Sequence, residues 1–298
     1  MWKIQIFIFY ASFLVFPFLI FLFYKIKNWK NFNKRQKIFF VFLMILSIFF
    51  IDNRFIEPNI ITVNETKINI WLEKEIKIVL IADIHLWIYK KWDFLEKIVN
   101  KINNISDLDY VFIAWDLTYL KQNYKKEDLK EYFSVIKKIK VPVYWVLWNH
   151  DVWYPWPKVR EELVDILNKN WANFLNNNFV KLKWFTLVWL GSNWWWEDDV
   201  SILENFKEKD KIIVLTHNPD TTRKYNNKIA DLTLCWHTHW GQIKIPFLYK
   251  KVIPTYGQFD EWLTQEKNTQ LFITSGLWII GLPFRFLNPP VIDILKIN

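Results

Sequence analysis

The chain has 298 residues, enough for one large domain plus an appendage, and its net charge of +9 is unevenly spread. Seven of the 39 Lys and Arg lie in residues 1–37, leaving 32 basic against 30 acidic residues in the remainder; that near-neutral balance removes the main electrostatic argument for a nucleic-acid partner. A single cysteine, Cys235, excludes an internal disulfide.

Residues 1–51 are almost wholly apolar or basic, with no acid before Asp52. Ile4 to Tyr24 form an uncharged run of 21 residues, the length that crosses a bilayer as a helix. Its bulk and aromaticity, with no small-x-small cleavage site after it, favour a membrane helix over a signal peptide. A second apolar run, Ile38 to Ile51, has 14 residues, short for a span and compatible with an interfacial or re-entrant helix. Between the runs, Lys25, Lys27, Lys30, Lys34, Arg35 and Lys37 stand without an acid; a loop this basic prefers the cytoplasmic side. If both runs span, residues 1–53 are a helix hairpin in the cell membrane and the rest of the chain is extracytoplasmic. If the second run only lies on the surface, the rest is cytoplasmic. The hairpin is the favoured reading.

Residues 54–75 read as a linker with a lead-in strand. From residue 76 to 298 a β/α rhythm appears. Short β-branched runs at 76–82, 109–114 and 141–147 predict buried strands, alternating with helices over 92–104, 126–139 and 158–169. Further strand-like pieces follow at 179–190, 211–216, 231–235 and 271–274. The fold class is α/β.

Polar residues cluster where these strands end: Asp83 and His85, then Asp116, then Asn149, His150 and Asp151, then His217, then His237 and His239. A lone Asp-x-His arises often by chance, and a lone strand-end Asp is usually a helix cap. Here, however, the chain has five histidines and all five fall in these clusters. Carboxylate, imidazole and Asn oxygen together suit divalent first-row metals, and the carboxyl ends of strands are where an α/β site is expected. Cys235, inside an apolar strand, reads as packing.

In this order the clusters resemble the calcineurin-like metallophosphoesterases, which show Asp-x-His, Gly-Asp, Gly-Asn-His-Asp or Glu, a His, and Gly-His-x-His. The resemblance covers about 76–298 and is nearest the small bacterial membrane-associated branch, through LTHNPD, WHTHWGQIKIP and LPFRFLNPP. It implies a four-layer αββα sandwich and a site for two divalent metal ions (Mn, Fe or Zn). Asp83, His85 and His239 would hold one ion, Asn149, His217 and His237 the other, and Asp116 would bridge them. His150 would contact the scissile phosphate as general acid, with Asp151 orienting it.

One departure is systematic. Trp115, Trp148, Trp236 and Trp240 stand where the family has glycine beside its ligands. Trp87, Trp171, Trp189 and Trp278 also fall where glycine is usual, and Trp194, Trp195 and Trp196 occupy what would be a glycine-rich loop. The chain holds 20 Trp and 5 Gly, whereas a typical chain of this length has roughly 21 glycines. Either the protein is unusually Trp-rich with a blocked site, or its gene encodes glycine with UGA and the written sequence reads those codons as Trp. The second reading explains composition and position together.

The expected function is hydrolysis of phosphate mono- or diesters, the membrane location pointing to a lipid-linked substrate. The alternatives are a nuclease of the same superfamily, disfavoured by charge, and an inactive membrane-tethered scaffold, which follows if the tryptophans are real.

Overall fold

The computed structural model describes residues 2–84, 93–114, 126–146, 159–170, 172–174, 177–191, 198–225, 230–236, 238, 241–251, 253, 255, 259, 262–266, 269–277, 279 and 282–298.

At the N-terminus, α1 (Trp2–Ala11) continues through a 3-10 turn into α2 (Val15–Ile26). After the basic turn, α3 (Lys34–Ile51) opens at Asn33. The Asn33 side chain accepts from the Gln36 N–H and the Gln36 side chain accepts from the Asn33 N–H, a reciprocal cap that satisfies two donors of the first turn. The helix then runs on through Asp52–Ile56 and Glu57–Asn59. The second apolar run is therefore longer than its 14 uncharged residues predict, because the cap starts it early and its polar end stays helical. The helical stretches Ile4–Ile26 and Lys34–Asn59 are both long and apolar enough to cross a membrane, and only 11% and 22% of their apolar windows are buried. A core helix of a globular domain would bury far more. Arg54 clasps the two stretches: its Nε donates to Ser12 Oγ at 2.9 Å and its guanidinium lies over the Phe9, Phe13 and Phe55 rings.

The rest of the described chain forms two six-stranded sheets. In the first, the order is β1 (Thr62–Ile68), β12 (Val291–Ile297), β2 (Ile76–Ala82), β3 (Tyr110–Ala114), β4 (Val143–Val146) and β5 (Ala172–Phe174). Strands β2 to β5 are parallel, while β12 is antiparallel to β2 and parallel to β1. In the second, the order is β10 (Leu263–Glu266), β11 (Thr269–Ile273), β9 (Leu232–Cys235), β8 (Ile212–Leu215), β7 (Thr186–Trp189) and β6 (Asn178–Lys181). The runs at 76–82, 109–114, 211–216 and 231–235 become strands as their β-branched, doubly buried sequences require. The expected piece at 179–190 divides into the antiparallel hairpin β6–β7, because Lys183 and Trp184 turn the chain.

Helix α4 (Asp93–Asn103) buries Phe94, Leu95, Ile98, Val99 and Ile102 on one face, the three-to-four spacing of an amphipathic helix. Asp93 and Glu96 sit in its first turn and Lys101 in its last, each complementing the helix dipole. Helices α5 (Lys126–Phe133) and α6 (Arg160–Lys169) add Leu129, Phe133, Leu163, Ile166 and Leu167 to the same core. Alternation divides the second sheet: Leu187, Trp189, Ile213 and Leu215 join the core shared with the first sheet. Val188, Ile212 and Val214 instead face a smaller cluster with Leu203 and Tyr225. This is the four-layer arrangement, with the two sheets face to face in the middle.

Strand direction places the site. Strands β2, β3, β4, β8 and β9 all end at one edge of the sandwich. Because β12 is antiparallel to β2, it begins at that edge, and so does β1 beside it. The helical N-terminal region thus joins the sandwich at the edge where Asp83 and His217 emerge.

Asp293, opposite Leu80 at the centre of β12, is 1% exposed. Burial pushes its carboxyl up to about 7, with the Thr274 hydroxyl drawing it partly back. An unfolded Asp titrates near 3.9. Between about pH 4 and 7 the folded state therefore holds the extra proton, and stability falls as pH rises through that window. Asp293→Asn removes this cost: its thermal stability relative to the parent should rise by about 3 kcal/mol between pH 5 and pH 8. Parallel melting curves for parent and variant across those pH values would refute the assignment.

Candidate metal centre

Asp83 ends β2 with φ at +52°, a left-handed conformation that Asp tolerates better than most residues. Its N–H donates to Ala114 O at 3.2 Å, tying the end of β2 to the end of β3. The side chain has no exposed surface. Gly276, with φ at +73°, lies directly against it: a Cβ there would stand 2.7 Å from Asp83 Oδ2, closer than real Cβ contacts come. The requirement for glycine is thus double, backbone and space.

Behind this pair lies Arg285, also fully buried. It donates to Asn288 O at 2.7 Å, Gly276 O at 3.2 Å and Ser275 O at 3.3 Å. Burial raises the Asp83 carboxyl well above its usual range, and the Arg285 charge opposes that. Burial lowers Arg285 to about 10, against the charges of Asp83 and Glu57. Glu57 reaches in from the end of the second helical stretch, accepting from the Asn288 N–H at 2.5 Å and the Leu287 N–H at 3.0 Å.

On the second sheet, His217 follows β8 and is 2% exposed. Its carbonyl accepts from the Trp236 N–H at 3.1 Å. Asn218 caps the next turn by accepting from the Asp220 N–H, which fixes where the chain leaves the strand. The segment after β11 stitches the sheets together. Thr274 N–H donates to Cys235 O on one side, and Leu277 N–H to Ala82 O on the other. Asp83 and His217 thus flank one seam. A buried carboxylate and a buried imidazole at strand ends are donors of the kinds suited to a divalent cation.

Of the nine site residues expected from the sequence, Asp83 and His217 lie among the described residues. His85, Asp116, Asn149, His150, Asp151, His237 and His239 lie outside them. Among the described residues no three His, Cys, Asp or Glu are grouped as a metal site. Cys235 is buried, its thiol 3.6 Å from Phe272 O and pushed up by burial, in keeping with packing. Sequence reasoning did not assign Gly276, Arg285 or Glu57. The signal available was Arg285 within LPFRFLNPP, and nothing local marks Glu57 as its counter-charge.

The tryptophans at family-glycine positions divide similarly. Trp87, Trp115, Trp148, Trp171, Trp194, Trp195, Trp196, Trp240 and Trp278 lie outside the described residues. Trp189 and Trp236 are fully buried, and their indole N–H groups find no acceptor among the described residues. Trp145, at no such position, donates to Ala172 O at 3.1 Å. The Trp236 ring stands edge-on to His217 with centroids 5.1 Å apart, packed directly against an expected ligand. Neither Trp189 nor Trp236 has positive φ, whereas Trp71, 78% exposed, has φ at +62°.

A family model described as calcineurin-like phosphoesterase matches residues 76–241, more than half of the sequence. The chain belongs to the calcineurin-like phosphoesterase family. An uncharacterized metallophosphoesterase of Campylobacter jejuni, Cj0846, is 28% identical over 91% of this chain and 73% of its own length. One from Helicobacter pylori is 29% identical over 76% of this chain and 60% of its own length. YkuE of Bacillus subtilis, likewise an uncharacterized metallophosphoesterase, is 25% identical over 82% of this chain and 88% of its own length. Among solved structures, the NAD nucleotidase NadN of Haemophilus influenzae superposes with a TM-score of 0.46 at 14% identity, covering 67% of this chain and 45% of that one. Family membership supports a phosphoesterase-type hydrolase acting on a phosphate ester, and such proteins generally use divalent metal ions.

Gly276→Ala should displace the Asp83 carboxylate. The expected outcome is a loss of at least tenfold in divalent-metal affinity, read by titration calorimetry, together with a destabilisation of about 1–3 kcal/mol from the strained φ. Unchanged metal affinity would remove Asp83 from the ligand set.

Proposed function

We propose that the chain is a membrane-anchored phosphoesterase that hydrolyses phosphate mono- or diesters at a two-metal centre, with a lipid-linked ester as the substrate class. The observation that carries this reading is the seam at which Asp83 and His217 emerge from two different sheets in a chain of this family. Residues 1–53 are the anchor, 54–75 the connection and 76–298 the catalytic part. With the basic turn at 25–37 on the cytoplasmic side, the catalytic part lies outside the cytoplasm.

Asp83, His85 and His239 would hold one ion and Asn149, His217 and His237 the other, with Asp116 shared. Mn, Fe and Zn all suit this mixture of oxygen and imidazole donors. When bound, the ions polarise the phosphoryl oxygens and supply an acidified water as nucleophile. The chain does the rest. Asn149 adds a neutral oxygen, which keeps the site from collecting a surplus of carboxylates. His150 meets the scissile phosphate and gives a proton to the leaving oxygen, and Asp151 holds its ring in register. Arg285 positions Asp83 through Gly276, whose carbonyl it holds.

This function requires glycine at the family-glycine positions in the working protein. Trp236 supports that condition: its ring occupies space beside His217 and buries an indole N–H without an acceptor among the described residues. If the tryptophans are present in the working protein, the same contact favours a second reading, an inactive membrane-tethered binding protein.

Two measurements separate these readings. Peptide mass spectrometry of protein from the native cells should show glycine at residues 115, 148, 236 and 240; tryptophan there would end the recoding reading. In the glycine-restored chain, His150→Ala should lower kcat on a generic phosphodiester by roughly 10²–10⁴-fold with metal content unchanged. Loss of metal in that variant would make His150 a ligand, and absence of turnover in the restored parent would overturn the enzyme reading.

A further inference from the structure

The segment that follows the second sheet's ligands, residues 241–251, carries a surface the catalytic reading does not use. Phe247 is 91% exposed and holds φ at +67°, a conformation disfavoured for a bulky residue. Ile245 and Leu248 beside it are exposed too, as are Leu282 and Leu287 on the neighbouring segment. The two segments are bound together: Lys244 N–H donates to Phe286 O at 2.8 Å, Phe286 N–H to Gln242 O at 3.1 Å, and Gln242 Nε2 to Leu282 O at 2.9 Å. Residues 241–251 contain Lys244, Lys250 and Lys251 and no acid.

Depth is set by the second helical stretch. Its uncharged run, Ile38–Ile51, ends where Asp52, Arg54 and Glu57 bring charge, which sets the hydrocarbon edge. Phe49 and Phe50 lie in the last turn before that boundary. Phe286 meets Phe49 with ring centroids 5.0 Å apart, and Phe284 meets Phe50 at 5.1 Å. Arg285 N–H donates to Asn53 O at 2.9 Å. The 282–288 segment is thus fastened to the helix at the level of the hydrocarbon edge, and the exposed 245–248 turn is fastened to that segment.

We propose that residues 244–251 with Leu282 and Leu287 form a membrane-docking surface whose partner is an anionic bilayer, seating the metal-bearing edge of the sandwich on the lipid. The occupant is identified by continuity and charge. The patch extends the outward apolar surface of the helices, and the lysines flanking its apolar tip match anionic headgroups, the pattern of an interfacial segment. The inference rests on the anchoring read from the same helices.

The test places an environment-sensitive fluorophore on single cysteines in the full-length chain reconstituted into vesicles of phosphatidylcholine with phosphatidylglycerol, quenched by nitroxide-labelled lipids. The parent, carrying only buried Cys235, serves as the blank. Probes replace Phe247, Ile45 in the middle of α3, and Lys209, which is exposed in the turn before β8 at the opposite edge of the sandwich. The expected result is strong quenching at Ile45 by deep nitroxides, several-fold stronger quenching at Phe247 than at Lys209 by shallow nitroxides, and weaker Phe247 quenching in Lys250→Glu/Lys251→Glu. Quenching at Ile45 with Phe247 no different from Lys209 overturns the docking surface and leaves the anchor standing. No quenching at Ile45 overturns both. Equal Phe247 quenching in vesicles of phosphatidylcholine alone overturns the anionic preference.

Discussion

A guanidinium with no exposed surface lies between the carboxylate of Asp83 and the end of the second apolar helix, and the site edge is arranged around it. Taking Arg285 out of water costs several kcal/mol, which only close partners offset. Its partners include three backbone carbonyls, from Ser275, Gly276 and Asn288, and the charges of Asp83 and Glu57 act on it. These partners come from four parts of the chain: the end of β2, the segment leaving β11, which supplies both Ser275 and Gly276, the C-terminal stretch, and the exit of the helices. None can shift far without stranding the buried charge. Asp83, the best-described ligand candidate, therefore owes its surroundings to residues far along the chain, and the Glu57–Asn288 contact that closes the same network itself joins residues 231 places apart.

The topology makes this convergence necessary. A sheet of parallel strands delivers its strand ends to one edge, and β12, with β1 beside it, runs opposite to β2 and so begins there. The chain must cross from β11 in the second sheet to β12 in the first at that same edge. The crossing, residues 274–290, carries Gly276 against Asp83, Arg285 behind it and the phenylalanines that meet α3. The helical region enters there because β1 is parallel to β12. Ligand positioning and attachment of the helices are thus consequences of one strand reversal.

Much of this was legible from the residues. The apolar runs at 76–82, 211–216 and 231–235 form the buried strands their composition predicts; of the five histidines expected at strand ends, His217 stands after β8 and the other four lie outside the described residues. What was not legible depended on partners far away. The strand at 291–297 carries Asp293 within it, which breaks the apolar run by which its neighbours are recognised, and burial pushes that carboxyl up to about 7. The length of the second helical stretch turned on the Asn33–Gln36 cap rather than on hydropathy. Gly276 reads as an ordinary turn glycine until the carboxylate 2.7 Å from its missing Cβ is seen, and Glu57 reads as linker until Arg285 is placed opposite it.

The two described tryptophans at family-glycine positions sharpen what glycine does at such a site. Gly276 needs both the left-handed backbone and the absence of a side chain. Positions 189 and 236 do not share the first need, since neither has positive φ. What a glycine at 236 would provide is room: it would remove a ring from the face of His217 and an indole N–H left without an acceptor among the described residues. An unsatisfied buried donor costs about 1–3 kcal/mol, a penalty Trp145 avoids through Ala172. Among the described residues, then, the indole of Trp145 has an acceptor and those at 189 and 236 do not. Glycine at 236 would open that space while leaving in place the backbone hydrogen bond from the residue 236 N–H to His217 O.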